Sequence, residues 1–89
     1  LGHLTRDIVA TQSGIVESID NYRINRIGVL AGASQYPGAG LDLLKKVGDK
    51  VEQGETLYRI HSVNSTDFAF ANSMVDGNNA YEINTKGAY

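Results

Sequence analysis

Two arginines one helical turn apart, Arg23 and Arg26, could hold a phosphate or a carboxylate through forked, charge-assisted hydrogen bonds. The segment "GASQYPGAG" (residues 32–40, with Gly32, Gly38 and Gly40) could offer backbone amides to an anion. His3 and His61 have the side-chain type that ligates metals and moves protons. Asn64, followed by Ser65 and Thr66, matches the acceptor pattern for N-glycosylation.

Each of these groups also has a plainer reading. The glycine segment lacks P-loop spacing and no Gly-Lys-Ser/Thr follows it, so a structural loop is favoured. Arg23 and Arg26 read as a solvated helix face, because exposed charge pairs contribute little. His61 has no second histidine close in sequence and no carboxylate trio, so it reads as a half-buried strand residue with a satisfied ring nitrogen. His3 reads as part of a frayed terminus. The Asn64 triplet is a chance match, since no basic start with an apolar middle marks a secretory leader. On this reading no residue is assigned a catalytic, cofactor-binding or metal-ligating role.

The elements that position these groups must fit within 89 residues, which is one domain by length and a single core. We expect residues 1–89 to be a single domain cut from a longer protein, since the chain begins at Leu1 and enters a strand-like run almost at once. A hydrophobic share of 42% argues against disorder. Net charge is −2 with acids and bases mixed, which gives no footprint for nucleic acid. No apolar run approaches the ~20 residues that span a bilayer. Without cysteine there are neither disulfides nor thiolate metal ligands, which is compatible with a cytoplasmic protein.

The pattern predicts a mixed α+β domain in the order β-β-α-β-β-α-β. "RDIVATQ" (residues 6–12) reads as a strand, with "GIVESI" (residues 14–19) as its antiparallel partner. Asp20 or Asn21 then caps a helix whose buried face is Ile24, Ile27, Gly28 and Ala31; the stripe of Ile24, Ile27 and Ala31 is core, not a binding groove, and Gly32 ends the helix. Residues 33–40 hold the only proline and are loop. "LDLLKKV" (residues 41–47) and "TLYRIHS" (residues 56–62) are strands joined by a compact hairpin, "GDKVEQGE". Asn64 or Ser65 caps a second helix with Phe68, Ala71 and Val75 on one face. Gly77 stops it, and residues 80–85 form the last strand.

"VGDKVEQGETLYRI" resembles the hairpin of biotinyl and lipoyl carrier domains, which place the modified lysine on the turn just after that strand. Here the turn is "HSVNSTD", with Asn64 at about the lysine's place, and an amide forms no covalent arm. A larger share of the chain, from about Asp7 to Tyr81, is similar to the C-terminal domain of the thymidine and pyrimidine-nucleoside phosphorylases. The similarity is greatest to the branch that includes thymidine and AMP phosphorylases. The motifs are "AGA" (residues 31–33), "GAG" (residues 38–40) and the hairpin of residues 48–54. The family more often has proline after "AGA" and a charged lead into "GAG", where this chain has Ser34 and "QYP".

The resemblance implies a β-hammerhead, related to the carrier barrel, joined to two helices. It also implies a parent enzyme that transfers a pentosyl group from a pyrimidine base to inorganic phosphate, without an organic cofactor. The groups that bind phosphate and base would lie in the preceding domains, and this domain would support them and take part in closure or homo-oligomer assembly. The alternative is a non-catalytic carrier-like or interaction module, which a lysine on residues 61–67 would have favoured.

Overall fold

The computed structural model describes residues 3–87. In chain order the elements are β1 (Leu4–Val9), β2 (Gly14–Ile19), α1 (Asn21–Ala31), β3 (Gly40–Leu43), β4 (Lys50–Val51), β5 (Thr56–Ser62), α2 (Ser65–Gly77) and β6 (Tyr81–Asn84), followed by a short 3-10 turn at Thr85–Gly87. The expected α+β order holds, with β4 as a two-residue strand inside the hairpin.

Two antiparallel three-stranded sheets form, in the orders β1-β5-β3 and β4-β2-β6. The expected β1–β2 hairpin is therefore incorrect. β1 instead pairs with β5 along its whole length, from Leu4 opposite Ser62 to Val9 opposite Thr56, while β2 joins β4 and β6. The physical reason is layering: separating β1 from β2 lets Ile8 and Val16 enter the core from different sheets. The connection from Ala10 to Ser13 is held by the hairpin: Ala10 donates to the Glu55 carbonyl, and Gly54 donates to that of Ala10.

Both helices start where their caps dictate. The Asp20 carboxylate accepts the Arg23 amide at 3.0 Å, and the Asn64 side chain accepts that of Asp67 at 2.8 Å. Gly32 closes α1 with φ 110°, and the Gly32 and Ala33 amides take the Val29 and Gly28 carbonyls. A side chain at Gly32 would be strained there, which is why the helix ends on glycine. α1 buries Ile27, Gly28 and Ala31, and α2 buries Ala71 and Val75. Against these pack Val51, Leu57, Tyr58 and Ile60, all without exposed surface, to give one continuous core. β3 is shorter than expected. The Leu44 and Lys45 amides both turn to the Leu57 carbonyl, which ends the ladder after Leu43.

Candidate functional site

The groups singled out in the sequence do not converge on one place. Arg23 sits in the first turn of α1 but reaches across to the end of α2. Its Nε donates to the Asn78 carbonyl and its Nη2 to that of Met74, both at 2.7 Å. The Met74 carbonyl already accepts the Asn78 amide at 3.3 Å, and both carbonyls sit at the negative pole of the helix, so a guanidinium is well matched to them. The expectation of a solvated face is thus incorrect for Arg23, which clamps the helices together, while Arg26 is exposed.

His61 lies on the outer face of β5. Its Nδ1 is 2.9 Å from His3 Nε2, and its Nε2 is 2.8 Å from Asp42 Oδ2. Both ring nitrogens therefore have partners, and the three groups form a string rather than a pocket closing on one point. His3, which the sequence suggested was frayed, is tied down by this contact. Among the described residues no three His, Asp, Glu or Cys side chains are grouped to hold a metal ion. Beside the string, Arg59 and Asp7 form an ion pair across β1 and β5. The Asp7 carboxyl is held below its ordinary range chiefly by the hydrogen bond from Arg59.

The glycine loop does not make an anion cradle. The amides of Gln35 and Tyr36 both go to the Gly32 carbonyl, and that of Ala39 goes to the carbonyl of Tyr36. These bonds are all local, and residues 33–38 are exposed. The hairpin of residues 48–54 has long-range ties: Gly48 to the Val16 carbonyl, Gly54 to that of Ala10, and Gln53 to the Ser13 hydroxyl. Brief digestion with an unspecific protease should thus cut first between residues 34 and 40. A first cut inside residues 48–54 would show that the local turn bonds outlast the long-range ones.

Asn64, which the resemblance to carrier hairpins sets at about the lysine's place, is occupied with capping α2. Its Oδ1 accepts the Asp67 amide, and its Nδ2 donates to the Asp67 carboxylate at 3.0 Å. The same bonds turn its amide away from the glycosylation role that the sequence pattern invited. Co-expression with biotin or lipoate ligase should leave the intact mass unchanged. An added mass of either group would overturn the distinction from the carriers.

Sequence reasoning missed two features. Arg6 bridges β1 to α2 through Asn72 and Asp76, each at 3.2 Å, with partners 66 and 70 residues away. Tyr58 and Tyr81 stack with ring centres 5.5 Å apart, and each hydroxyl donates to a main-chain carbonyl, of Asn79 and Lys45 respectively. The strand pattern gives their inward direction, but no local signal gives their partners. The caps, clamps and ion pairs described above bind the domain to itself.

The model of the family described as pyrimidine nucleoside phosphorylase C-terminal domain matches residues 15–84. The chain is 45% identical over 89 residues to "Putative thymidine phosphorylase" of Rhodopseudomonas palustris strain BisA53, covering 100% of this chain and 17% of that protein. A protein of the same name from R. palustris strain ATCC BAA-98 / CGA009 is 42% identical over 84 residues, covering 94% of this chain and 16% of that one. One from Albidiferax ferrireducens is 45% identical over 83 residues, covering 93% and 16%. The chain thus spans about one sixth of the length of the curated relatives it matches. With the match running from β2 through β6, the chain belongs to the pyrimidine nucleoside phosphorylase C-terminal domain family.

Proposed function

We propose that this chain is the structural and assembly domain of a thymidine-phosphorylase-like pentosyltransferase. The parent cleaves a pyrimidine nucleoside with inorganic phosphate, giving free base and pentose 1-phosphate. The observation that carries the reading is the family match over residues 15–84. Relatives 42–45% identical to it bear the name "Putative thymidine phosphorylase" and are about six times longer.

Phosphate attacks the anomeric carbon as the bond to the base breaks, through a transition state with oxocarbenium character. Such catalysis rests on positioning and electrostatic stabilisation by groups around both reactants. Those groups belong to the rest of the parent, and residues 1–89 form the single domain that supports them. The parent needs phosphate as co-substrate and no organic cofactor, assembles as a homo-oligomer, and works in the cytoplasm without nucleic acid or membrane. Among the described residues no helix is long and apolar enough to cross a membrane.

Chromatographic detection of free base tests the proposal. The full-length protein should release thymine from thymidine only when phosphate is present, and this chain alone should not. Removing the domain from the parent should lower activity together with oligomer size or thermal stability. Turnover by this chain alone, or a fully active and normally assembled truncated parent, overturns it.

A further inference from the structure

One margin of the core is left uncovered. Leu43 pairs with Tyr58 in the β3–β5 ladder and so points to the core side of its sheet. Tyr58 has no exposed surface, yet Leu43 is 48% exposed. The cause is a groove of about 250 Å³ between α1 and β3, floored by Gly28 and walled by Ile24, Val29, Leu41 and Leu43. Val29 is 48% exposed on its helix side. Leu43 also borders a second hollow, whose apolar side is Ile19 and Leu44 and whose other side is the charged Lys45, Lys46 and Asp49.

The backbone of the same margin is open. The Leu44 amide donates to the Leu57 carbonyl, which makes that pair a hydrogen-bonded one. In an antiparallel ladder such pairs alternate, so Asp42 and Gly40 also turn their amides toward β5. Leu41 and Leu43 then turn theirs outward, and β3 is an edge strand with β5 as its sole ladder neighbour among the described residues. Edge strands carrying apolar side chains are ordinarily covered or paired.

We infer that the β3 edge and the groove beside α1 are the docking surface for the polypeptide that precedes this domain in the full-length protein. The docked element is an extended apolar segment that adds a strand to β3. This rests on the reading of the chain as one domain of a longer phosphorylase. About five sixths of the length of the matched relatives lies outside the matched region. A segment tethered by a short flexible linker meets the groove at roughly millimolar effective concentration, so even a weak contact is then occupied. A second copy fits less well. Symmetric pairing that uses the outward groups of Leu41 and Leu43 on both copies sets Asp42 directly opposite Asp42. Like charges so placed are destabilising.

Hydrogen exchange resolved at single amides, run on the full-length protein, tests the docking. The Leu41 and Leu43 amides should exchange at least about 100-fold more slowly than in an unstructured peptide, as paired strand amides do. In the full-length chain Leu43→Glu should abolish that protection and lower the melting temperature, while Leu43→Val should keep most of both. A photo-crosslinking side chain at position 43 should join to sequence preceding this domain. Exchange of both amides at peptide rates overturns the inference, as does crosslinking only to residues 3–87 of a second copy. Base release by the unaltered protein is scored separately. Its absence sinks the phosphorylase reading and leaves the docking result to stand or fall on exchange.

Discussion

Tyr58→Ala should cost the domain about 3–5 kcal/mol and lower its melting temperature by roughly 15–30 °C. Tyr58 is the largest side chain without exposed surface. Its ring stacks on that of Tyr81, so it joins β5 to β6, which belong to opposite sheets. Its hydroxyl donates to the Asn79 carbonyl at 2.9 Å, within the connection between α2 and β6. Truncation therefore removes a stacking partner, opens a cavity, and leaves a carbonyl without its donor. A small domain has about 4–13 kcal/mol of stability in all, so the variant approaches the unfolding limit. Tyr58→Phe separates the contributions: it keeps the ring and should lose only about 1–2 kcal/mol for the missing donor. Thermal melts of the three proteins check this. Equal losses in Ala and Phe variants would mean that the hydroxyl, not the ring, holds the sheets together.

The same pair sets the alkaline limit. Burial pushes both phenols above the ordinary tyrosine range, and for Tyr58 the neighbouring Tyr81 adds to it. A raised folded-state pKa stabilises fully below the unfolded value near 10 and is lost as pH rises through the folded value. Circular dichroism should therefore fade above pH ~10 together with the ionisation of these two phenols.

What the sequence disclosed is what local chemistry decides. Asp20, Gly32 and Asn64 act on backbone groups within four residues, so their roles could be read from type and spacing. The helix faces were legible for the same reason, since Ile27, Ala31, Ala71 and Val75 recur at helical spacing. Strand alternation shows which side chains turn inward but not which strand lies alongside, and so β1 was assigned to β2 instead of β5. Arg23 was misread because its acceptors lie 51 and 55 residues ahead. Ala80, at φ 75°, carries no glycine signature. It is held there by the Asn78 side chain on its amide and the Asp20 amide on its carbonyl. Family membership was more legible than any of these contacts, because "AGA", "GAG" and the hairpin are compact stretches of chain.

Two glycine-to-alanine changes should move stability in opposite directions. At Gly14 an added Cβ would lie 2.5 Å from the Asn84 carbonyl oxygen, 2.9 Å from its carbon and 2.8 Å from Ile83 Cγ2. The first two are backbone atoms and cannot swing aside. Retreat is blocked as well, because Gly14 is paired on its other edge with the fully buried Val51. Gly14→Ala must therefore part β2 from β6 or β4, and overpacking of this kind costs about 1–3 kcal/mol or more. Gly28 lies inside α1, and its added Cβ would meet only Leu41 Cγ, at an ordinary 3.8 Å. Alanine there relieves the entropic cost of a mid-helix glycine, so Gly28→Ala should stabilise residues 1–89 by about 0.5–1 kcal/mol. The sequence suggested that Gly28 permits close approach to a sheet; the structure leaves room for a methyl group facing β3. Denaturant melts of both variants decide the matter. A Gly14→Ala protein as stable as the parent sequence would show that the strands around β2 can separate freely, and a destabilised Gly28→Ala would show that α1 sits closer to β3 than the groove allows.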